Sequence, residues 1–335
     1  MKKYNIAIVG ATGVVGETML SILEERNFPV NNLVLLASEK SAGKEYLFKG
    51  QTFKVQTLNE NSFENIDIAL FSAGGKISKK FAGIAVSSGC IVIDNSSAFR
   101  MDSDVPLVIP EINSEDLSSH SGIIANPNCT TIVTLMALNP IRKFSRIKKI
   151  IASSYQAVSG AGQEGINELV KQNKAIVIGQ EPVVKYFSHQ IANNLIPKID
   201  VMSENGYSAE EMKMVNETKK IFDDNDIRIS ATCVRVPVFT AHSVAITIET
   251  ESKISISKVR YLIKNSEGIE LIDNPEKEIY PMPISAQGKD NCLVGRIRED
   301  IVFNNGISLW VSGDQIRKGA ALNTVQIAEK LIENG

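Results

Sequence analysis

A cysteine lies where a helix is expected to begin. Cys129 belongs to residues 126–131 (NPNCTT), and an apolar run at residues 132–138 follows it. Asn128 can cap a helix that starts at Cys129. A helix N-terminus carries partial positive charge and unpaired N–H groups, and both favour a thiolate over a thiol. Cys129 is therefore a candidate nucleophile, although a buried structural cysteine is equally compatible with this segment alone.

Four polar residues near apolar segments are candidates for acting on an anionic substrate with a carbonyl group. Gln156 lies in residues 150–162, where a predicted strand runs into small, polar and glycine-rich residues, and it could orient a carbonyl or be a solvated strand residue. His242 lies between two apolar segments, where acid/base chemistry and a buried structural role both remain open. Arg235 stands among apolar residues, so it needs an anionic partner, either a protein carboxylate or a ligand. Arg100 follows a predicted strand end, where open α/β sheets bind ligands, but it is also compatible with an ordinary surface position.

The composition is that of a soluble globular protein without a basic or acidic bias. The net charge is −2 and the pI is about 6.1, so nothing indicates nucleic acid or an anionic membrane as a partner. No apolar run approaches the ~20 residues of a membrane span, and the start lacks the apolar core of a signal peptide. The widely spaced cysteines indicate reduced thiols in a cytoplasmic protein, and no metal site is expected from the three histidines. The sequence assigns no role to Cys90, Cys233 or Cys292.

A glycine motif follows the first apolar run. Residues 6–9 predict a buried strand, and the apolar positions in residues 19–23 repeat with helical spacing. Between them, Gly10 allows a tight turn, Gly13 lets backbone N–H groups approach a pyrophosphate, and Gly16 lets helix and sheet pack closely. The context predicts dinucleotide binding, while a plain glycine turn of an α/β protein is the alternative.

The end of the second predicted strand, residues 33–37, bears on the choice of cofactor. Glu39 could accept the ribose hydroxyl of NAD. Lys40, Ser41 and Lys44 could instead hold the 2′-phosphate of NADP. We favour NADP because the acid lies beyond the strand and beside a lysine; a solvated polar loop is the alternative.

Strands and helices alternate through the first half of the chain. Apolar runs predict strands at 68–71, 91–93 and 107–109, with a helix at about 79–88, which together indicate a doubly wound parallel sheet. In the second half, strands are predicted from residue 150 and at residues 244–248, 293–298 and 307–311, and helices from about 163 and over about 318–333. Residues 203–228 are highly charged and predict a solvated helix, with Ser208 and Glu211 forming a capping box.

Seven motifs in order resemble the bacterial aspartate-semialdehyde dehydrogenase family. They are GATGVVG (10–16), NSSAFRM (95–101), NPNCTT (126–131), SSYQAVSGAG (153–162), EEMK (210–213), RVPVFTAHS (235–243) and SGDQIRKGAALNT (312–324). The resemblance implies an NADP-binding Rossmann-type domain at 1–128, completed by the helix at 317–335. It also implies a mixed-sheet α+β catalytic and dimerisation domain at 129–316, and a homodimer.

The resemblance also implies the reaction and the residue roles. The expected activity is NADPH-dependent conversion of L-aspartyl-4-phosphate to L-aspartate 4-semialdehyde and phosphate through a Cys129 thioester, in lysine, threonine and methionine biosynthesis. His242 would be the acid/base and Gln156 would orient the substrate. Substrate contacts would come from Arg235 (carboxylate), Arg100 and Lys213 (phosphate) and Glu210 (amine). Cofactor contacts would come from Gly10, Thr12, Gly13, Val14, Val15, Lys40, Ser41, Ser159, Gly160 and Gln315.

Two positions depart from the family pattern, and two rival functions stay open. Lys40 stands where many relatives carry arginine, and Gln315 stands where asparagine is expected. Glu211 beside Glu210 leaves open which acid meets the amine. A related acyl-phosphate reductase, such as the N-acetyl-glutamyl-phosphate type or the glyceraldehyde-phosphate type, is one rival. A non-catalytic nucleotide-binding module is the other, and it would not need Cys129, His242 and Arg235 to converge.

Overall fold

Apolar runs form strands and amphipathic runs form helices in a computed structural model that describes residues 2–334. The strands are β1 (Tyr4–Val9), β2 (Val30–Ala37), β3 (Glu45–Phe48), β4 (Gln51–Thr57), β5 (Ile68–Phe71), β6 (Ile91–Asp94), β7 (Ile123–Ala125), β8 (Ile147–Gln156), β9 (Arg228–Arg235), β10 (His242–Thr250), β11 (Ile269–Leu271), β12 (Cys292–Glu299) and β13 (Gly306–Gly313). The helices are α1 (Val14–Glu25), α2 (Gly75–Ser87), α3 (Pro110–Asn113), α4 (Cys129–Phe144), α5 (Gly162–Val177), α6 (Ala209–Phe222), α7 (Ile256–Lys264), α8 (Pro283–Ala286) and α9 (Leu322–Asn334). A π-helical turn, Arg317–Ala321, precedes α9.

The chain divides into two compact units. Unit 1 contains the residues up to Asn128 together with those from Ala320 onward, and unit 2 is Cys129–Gly319. Helix α9 packs against α1 and α3. Ala321, Leu322 and Val325 are buried in the same apolar cluster as β1. The last helix therefore belongs to the core of unit 1 although the chain reaches it last.

Among the described residues, unit 1 holds a sheet with the strand order β3-β4-β2-β1-β5-β6-β7. All its strand pairs are parallel except β3 with β4. Residues 6–9 of β1 are fully buried between helices, as expected for a central parallel strand. The predicted doubly wound Rossmann-type sheet is confirmed. The predicted strand at 107–109 is wrong, because only Leu107 pairs, through an isolated bridge to Ala125.

Unit 2 is built on a mixed sheet with the order β11-β12-β13-β10-β8-β9 in the part of the chain that the structure describes. Strands β10 and β13 are antiparallel, as are β10 and β8, whereas β8 and β9 are parallel. Side chains alternate between a buried face and a more exposed face along β8, β9 and β10. Helix α4 packs on the buried face, which we call the inner face. The predicted mixed-sheet α+β architecture is confirmed.

Candidate active site

Helix α4 begins at Cys129, as the sequence predicts. The helix is 16 residues long, and residues 130–141 are all buried. Cys129 itself is partly exposed, whereas residues 130–141 of the helix form core. The placement at the first helical residue puts Cys129 in the positive field of the helix N-terminus, which favours the thiolate. This position favours a reactive cysteine over a structural one.

Strand register brings three of the predicted catalytic residues to one edge of the sheet in unit 2. Gln156 is the last residue of β8 and pairs with Arg235, the last residue of β9. His242 is the first residue of β10 and follows the same alternation as the buried residues of that strand. Since β10 lies beside β8, all three side chains project from neighbouring strands onto the inner face.

Helix α4 carries Cys129 to this same region of unit 2. His242 pairs with Gly313 on β13. A Cβ on Gly313 would lie 2.9 Å from Val133 on α4, so that helix crosses the inner face at this strand pair. Cys129 precedes Val133 by one helical turn, about 6 Å along the axis. The four predicted residues of the reaction centre therefore converge within unit 2.

The imidazole of His242 is fully buried and is held at one nitrogen. Nδ1 accepts a hydrogen bond from the backbone N–H of Ala157 at 3.1 Å. Nε2 is buried and has no hydrogen-bond partner among residues 2–334. Burial, with a smaller contribution from the Arg235 charge, lowers the pKa of His242 well below its ordinary value of 6.5. The ring is therefore neutral near pH 7, with its proton on Nε2.

The guanidinium of Arg235 is buried, and it binds the backbone of Ala157, which also binds His242. Its Nη1 donates to the carbonyl oxygen of Ala157 at 2.7 Å. Burial lowers the pKa of Arg235, and the negative groups of Glu210 and Cys129 oppose that shift. Gly160 closes over both side chains, because a Cβ there would lie 2.9 Å from Nη1 of Arg235 and 3.1 Å from Nε2 of His242.

A chain of polar contacts links Gln156 to the predicted anion-binding lysine. Gln156 Nε2 donates to Glu210 Oε1 at 3.3 Å, and Lys213 donates to Glu210 Oε2 at 3.2 Å and to Asp200 at 2.8 Å. Burial acts to lower the pKa of Lys213, but the two carboxylates outweigh it and the pKa is raised. Lys213 is therefore a charged ammonium beside Glu210.

The two adjacent acids at the start of α6 have different partners. Ser208 accepts a hydrogen bond from the Glu211 backbone N–H, and the Glu211 carboxylate accepts one from the Ser208 N–H at 2.7 Å. The predicted capping box is thus confirmed. The other Glu211 carboxylate oxygen accepts from Cys233 N–H at 2.9 Å. Glu210, whose carboxylate meets Gln156 and Lys213, is therefore the acid that faces the candidate site.

Gln315 and Ser159, both predicted to contact the cofactor, bind each other beside His242. Gln315 Nε2 donates to Ser159 Oγ at 2.5 Å, and its Oε1 accepts from Ala241 N–H at 2.8 Å. Ala241 has φ +72°, a left-handed conformation that costs a non-glycine residue about 1–2 kcal/mol. Gln315 holds this backbone, and the next residue is His242.

Unit 1 holds the predicted dinucleotide-binding turn. Gly10 has φ +87°, and a Cβ on Gly16 would lie 2.3 Å from the Gly10 carbonyl oxygen, so both positions require glycine. Gly13 caps α1 without a side-chain hydrogen bond, which leaves the helix N-terminus uncovered by a cap side chain. Thr12 Oγ1 donates to Ser41 Oγ at 3.3 Å. These features fit a dinucleotide with its pyrophosphate at the start of α1.

The remaining predicted cofactor residues of unit 1 lie at the start of α1 and in the segment after β2. Val14 and Val15 form the first turn of α1. Lys40 is exposed within the short 3₁₀ turn Glu39–Ser41, directly after β2. The lysine and the serine are thus placed at the carboxyl end of a parallel strand, where ligands of such sheets bind.

Arg100 is buried in unit 1 and is fixed by backbone carbonyls. Its Nε donates to Asn126 O at 2.9 Å and its Nη2 to Asn95 O at 3.2 Å. Asn126 also donates to the Asn95 side chain at 2.6 Å and accepts from Asn323 at 2.7 Å. A buried, multiply anchored arginine departs from the ordinary surface position that the sequence left open.

The other cysteines do not share the surroundings of Cys129. Burial raises the pKa of Cys90 to about 12 and that of Cys233 to about 12, and Cys292 is also buried. Such thiols are inert near neutral pH. Within residues 2–334, no group of histidine, cysteine and acidic residues is arranged to hold a metal ion. No helix in that range has the length and apolar character to cross a membrane.

Comparison with known proteins identifies the family to which the whole chain belongs. Family models match at residues 5–120, "Semialdehyde dehydrogenase, NAD binding domain", and at 138–318, "Semialdehyde dehydrogenase, dimerisation domain". The aspartate-semialdehyde dehydrogenase of Aquifex aeolicus is 56% identical and covers 99% of each chain. The Bacillus subtilis enzyme is 51% identical, with 98% of this chain and 97% of that protein covered. The chain belongs to the aspartate-semialdehyde dehydrogenase family.

A solved structure agrees with this assignment. Aspartate semialdehyde dehydrogenase II of Vibrio cholerae, complexed with ASA, matches with a TM-score of 0.97 and 50% identity over 99% of each chain. Membership confirms the predicted resemblance and the prediction of an oxidoreductase that acts on aldehyde donors. It also confirms a nicotinamide-dinucleotide-binding domain at residues 5–120.

Sequence reasoning missed the residues that support the site. Ala157 acts through backbone N–H and carbonyl groups, which no side-chain pattern reveals. Asp200 lies in an irregular segment, and only the fold brings it to Lys213. Gly319 packs on Cys129, where a Cβ would lie 2.9 Å from the cysteine Cβ. The run of small residues around Gly319 was the one available signal for a close approach.

Proposed function

We propose that this protein is an aspartate-semialdehyde dehydrogenase that reduces L-aspartyl-4-phosphate to L-aspartate 4-semialdehyde with NADPH. The observation that carries the proposal is the convergence of Cys129, Gln156, Arg235 and His242 in unit 2. A regulatory nucleotide-binding module would not need a helix-start cysteine beside a buried histidine and arginine. Family membership over the full chain supports the substrate class.

Cys129 is the proposed nucleophile and becomes acylated in each turnover. Its thiolate attacks the acyl carbon, the bond from that carbon to the phosphate oxygen breaks, and phosphate leaves with the electron pair. When bound, the nicotinamide cofactor would supply the hydride that reduces the thioester carbon. The carbon–sulfur bond breaks, the aldehyde is released, and Cys129 recovers its electron pair.

The polar residues around Cys129 match the groups of the substrate. Arg235, a buried cation, is proposed to bind the α-carboxylate as a bidentate partner. Glu210 is proposed to meet the α-amine, because Glu211 is already occupied by the capping box. Gln156 donates an amide hydrogen beside Glu210 and is proposed to orient the acyl group.

Two cations are proposed to bind phosphate. Lys213 is charged and lies between Glu210 and Asp200 in unit 2. Arg100 is rigidly anchored in unit 1 by carbonyls of Asn126 and Asn95. A cation suits a dianionic leaving group, because charge-assisted hydrogen bonds stabilise the charge that develops as the bond breaks.

NADP is the proposed cofactor because the segment after β2 presents a cation and a hydroxyl. Lys40 and Ser41 would hold the 2′-phosphate, and the turn at residues 10–16 would hold the pyrophosphate. Ser159, Gly160 and Gln315 are proposed as further contacts of the cofactor. Replacing Lys40 with Glu should lower kcat/KM for NADP by at least about tenfold and leave NAD less affected, since one phosphate ion pair is lost.

We further propose a cytoplasmic homodimer that serves lysine, threonine and methionine biosynthesis. Unit 2 matches the family's dimerisation-domain model. Apolar side chains are exposed on it, including Ile151 at 48%, Val177 at 85% and Val201 at 65%. Such surface is common at subunit interfaces. Sedimentation equilibrium should give twice the chain mass of 36.6 kDa, and a monomer at micromolar concentration would contradict the dimer.

An absorbance assay in the reverse direction tests substrate, cofactor and reaction together. With aspartate semialdehyde, NADP⁺ and phosphate, the wild-type protein should produce NADPH, and omission of phosphate should stop steady turnover. Cys129→Ser should bind NADP⁺ but lose nearly all turnover. N-acetyl-glutamate semialdehyde serves as the control substrate, and a preference for it would support the rival acyl-phosphate reductase instead.

A further inference from the structure

The chain between α5 and α6 runs past Arg235 without regular secondary structure. Residues 183–195 form neither helix nor strand, and Ile196 pairs with Arg235 through an isolated bridge. We call residues 183–200 the connecting segment. Backbone N–H groups in such a segment have no helix or strand ladder to join, so other groups must accept their hydrogen bonds. Two buried side chains of α5 do so.

Glu168 accepts hydrogen bonds from three consecutive backbone N–H groups of the connecting segment. Its Oε2 accepts from Lys185 at 3.1 Å and from Tyr186, and its Oε1 accepts from Phe187 at 3.2 Å. Glu168 is 6% exposed. Hydrogen bonds to an ionised acceptor are roughly twice as strong as those between neutral groups. The carboxylate therefore fixes residues 185–187 against α5.

Gln172 lies one turn after Glu168 and binds the connecting segment on both sides of that contact. Its Oε1 accepts from the N–H groups of Ile191 and Ala192 at 2.9 and 3.0 Å. Its Nε2 donates to the carbonyl oxygen of Val183 at 3.2 Å and to Glu168 Oε1 at 3.2 Å. Glu168 thus holds the segment directly and also through the orientation of Gln172.

The residues that Glu168 holds form a wall of the cavity at Arg235. Tyr186, Phe187 and Arg235 line the same cavity of about 220 Å³. The Tyr186 hydroxyl donates to the carbonyl oxygen of Ala161 at 2.8 Å. Phe187 packs against an apolar cluster that includes Leu169 of α5. The wall is therefore attached both to α5 and to the loop after β8.

The far end of the connecting segment is tied to the residues proposed to bind the substrate. Ile196 and Arg235 exchange two backbone hydrogen bonds, at 3.0 and 2.9 Å. Asp200 forms a salt bridge with Lys213 at 2.8 Å. Arg235 and Lys213 therefore both contact a segment whose other end depends on Glu168.

We infer that Glu168 is a positioning residue that sets the affinity for the substrate by holding the connecting segment beside Arg235. This inference rests on the proposed function, in which Arg235 binds the α-carboxylate. An ion pair is stronger where water is excluded, and the wall shields the guanidinium. Release of residues 185–187 would admit water to Arg235 and weaken carboxylate binding. Cys129 belongs to a separate helix, α4, so the chemical step should be affected less than binding.

Glu168→Gln tests the inference by steady-state kinetics with aspartate semialdehyde, NADP⁺ and phosphate. Glutamine has the same shape, but its NH₂ group replaces an oxygen that accepts backbone N–H groups. KM for aspartate semialdehyde should rise by at least about tenfold, whereas kcat should stay within about threefold. Glu164→Gln is the matched control, because it makes the same charge change at an exposed position of α5 and should keep wild-type kinetics. A fall in kcat as large as the rise in KM would contradict a role in binding.

Amide hydrogen exchange separates positioning from a purely structural role. In Glu168→Gln, the amides of residues 185–187 should exchange at least about tenfold faster than in wild type, with β8 unchanged. If they exchange faster while KM for aspartate semialdehyde stays within about twofold, Glu168 supports the fold alone and the inference is wrong. Unchanged exchange at residues 185–187 would contradict it as well.

Tyr186→Phe keeps the inference testable even if Glu168→Gln does not fold. Tyr186 is 50% exposed, and the substitution removes the hydrogen bond to Ala161 without changing the ring. KM for aspartate semialdehyde should rise by about threefold with kcat unchanged, and a wild-type KM would contradict the inference. A wild-type protein that does not turn over aspartate semialdehyde would contradict the proposed function itself. An active wild type with unchanged KM in both variants would contradict this inference alone.

Discussion

Gly319→Ala should disturb the nucleophile directly, because residue 319 packs against Cys129. The new Cβ would lie 2.9 Å from Cys129 Cβ, 3.3 Å from Cys129 Cα and 3.4 Å from Gln315 Cβ. Carbon atoms in protein cores pack at about 3.5–4.0 Å, so the cysteine and residue 319 must separate by about half an ångström or more. Cys129 has little room to retreat, since the helix behind it is buried over residues 130–141.

The expected loss follows from that displacement. Misplacing a reacting group by about 1 Å costs about 100-fold, so a shift of half that size should lower kcat/KM by about tenfold, or about 1.4 kcal/mol. Overpacking should also lower the free energy of unfolding by about 1–3 kcal/mol. The KM for the cofactor should rise less than kcat falls, because the shortest new contact is with Cys129 and only the longer contact of 3.4 Å reaches Gln315.

The assay combines steady-state kinetics, alkylation of Cys129 by iodoacetamide and urea unfolding. Gly83→Ala in α2 is the matched control, because a Cβ there would meet nothing within 4 Å apart from its chain neighbours and the backbone of its own helix. That control should leave activity and alkylation unchanged. If Gly319→Ala lowered the unfolding midpoint but kept wild-type alkylation and kcat/KM, the close packing on the nucleophile would have no catalytic consequence and our reasoning would be wrong.

Three further predictions concern His242, Arg235 and α6. Gly160→Ala should lower kcat/KM by about 100-fold, because its Cβ would press on Arg235 and His242, which share Ala157 as an anchor and cannot move apart independently. Ser208→Ala should cost about 1 kcal/mol of unfolding free energy by removing the α6 cap, with kcat/KM unchanged within about twofold. His242 has a pKa well below 6.5, so the unfolded chain binds a proton that the folded chain excludes. Stability should therefore fall as pH drops below about 6.5, by up to about 1.4 kcal/mol per pH unit.

Each of these three predictions would be contradicted by a specific experimental result. Wild-type kinetics in Gly160→Ala would show that the methyl group is accommodated without moving either side chain. A large loss of activity in Ser208→Ala would mean that the cap positions Glu210 as well as the helix. For the pH effect, urea midpoints of wild type and His242→Gln are compared from about pH 5.5 to about pH 7.5. Parallel curves would indicate that His242 does not contribute to the pH dependence.

Local sequence determined the elements that carry the cofactor turn. The apolar run of β1, the glycines after it and the amphipathic α1 are neighbours in sequence, so their pattern sufficed to predict strand, turn and helix. The strand predicted at residues 68–71 has the same bounds as β5. Its four residues are all buried, which is typical of a short central strand in a parallel sheet. The same reasoning located the capping box at Ser208 and Glu211.

The sequence did not predict secondary structure correctly where flanking residues or the pairing of distant segments determine it. Residues 107–109 are apolar like a strand, but Pro106 lacks an N–H for pairing and Pro110 starts a helical turn. Strands β3 and β4 were missed because they form an edge hairpin with mostly exposed side chains. The pairing of Gln156 with Arg235 joins distant segments, and no local pattern encodes such a register.

The most direct test is the mass of the acylated protein. L-aspartyl-4-phosphate is mixed with the enzyme without cofactor, quenched in acid, and analysed as intact protein and as peptides. We expect a mass increase of one aspartyl group located on Cys129, which disappears on addition of NADPH and is absent in Cys129→Ser. A fully active enzyme that never carries the acyl group, or that carries it on another residue, would contradict thioester chemistry at Cys129.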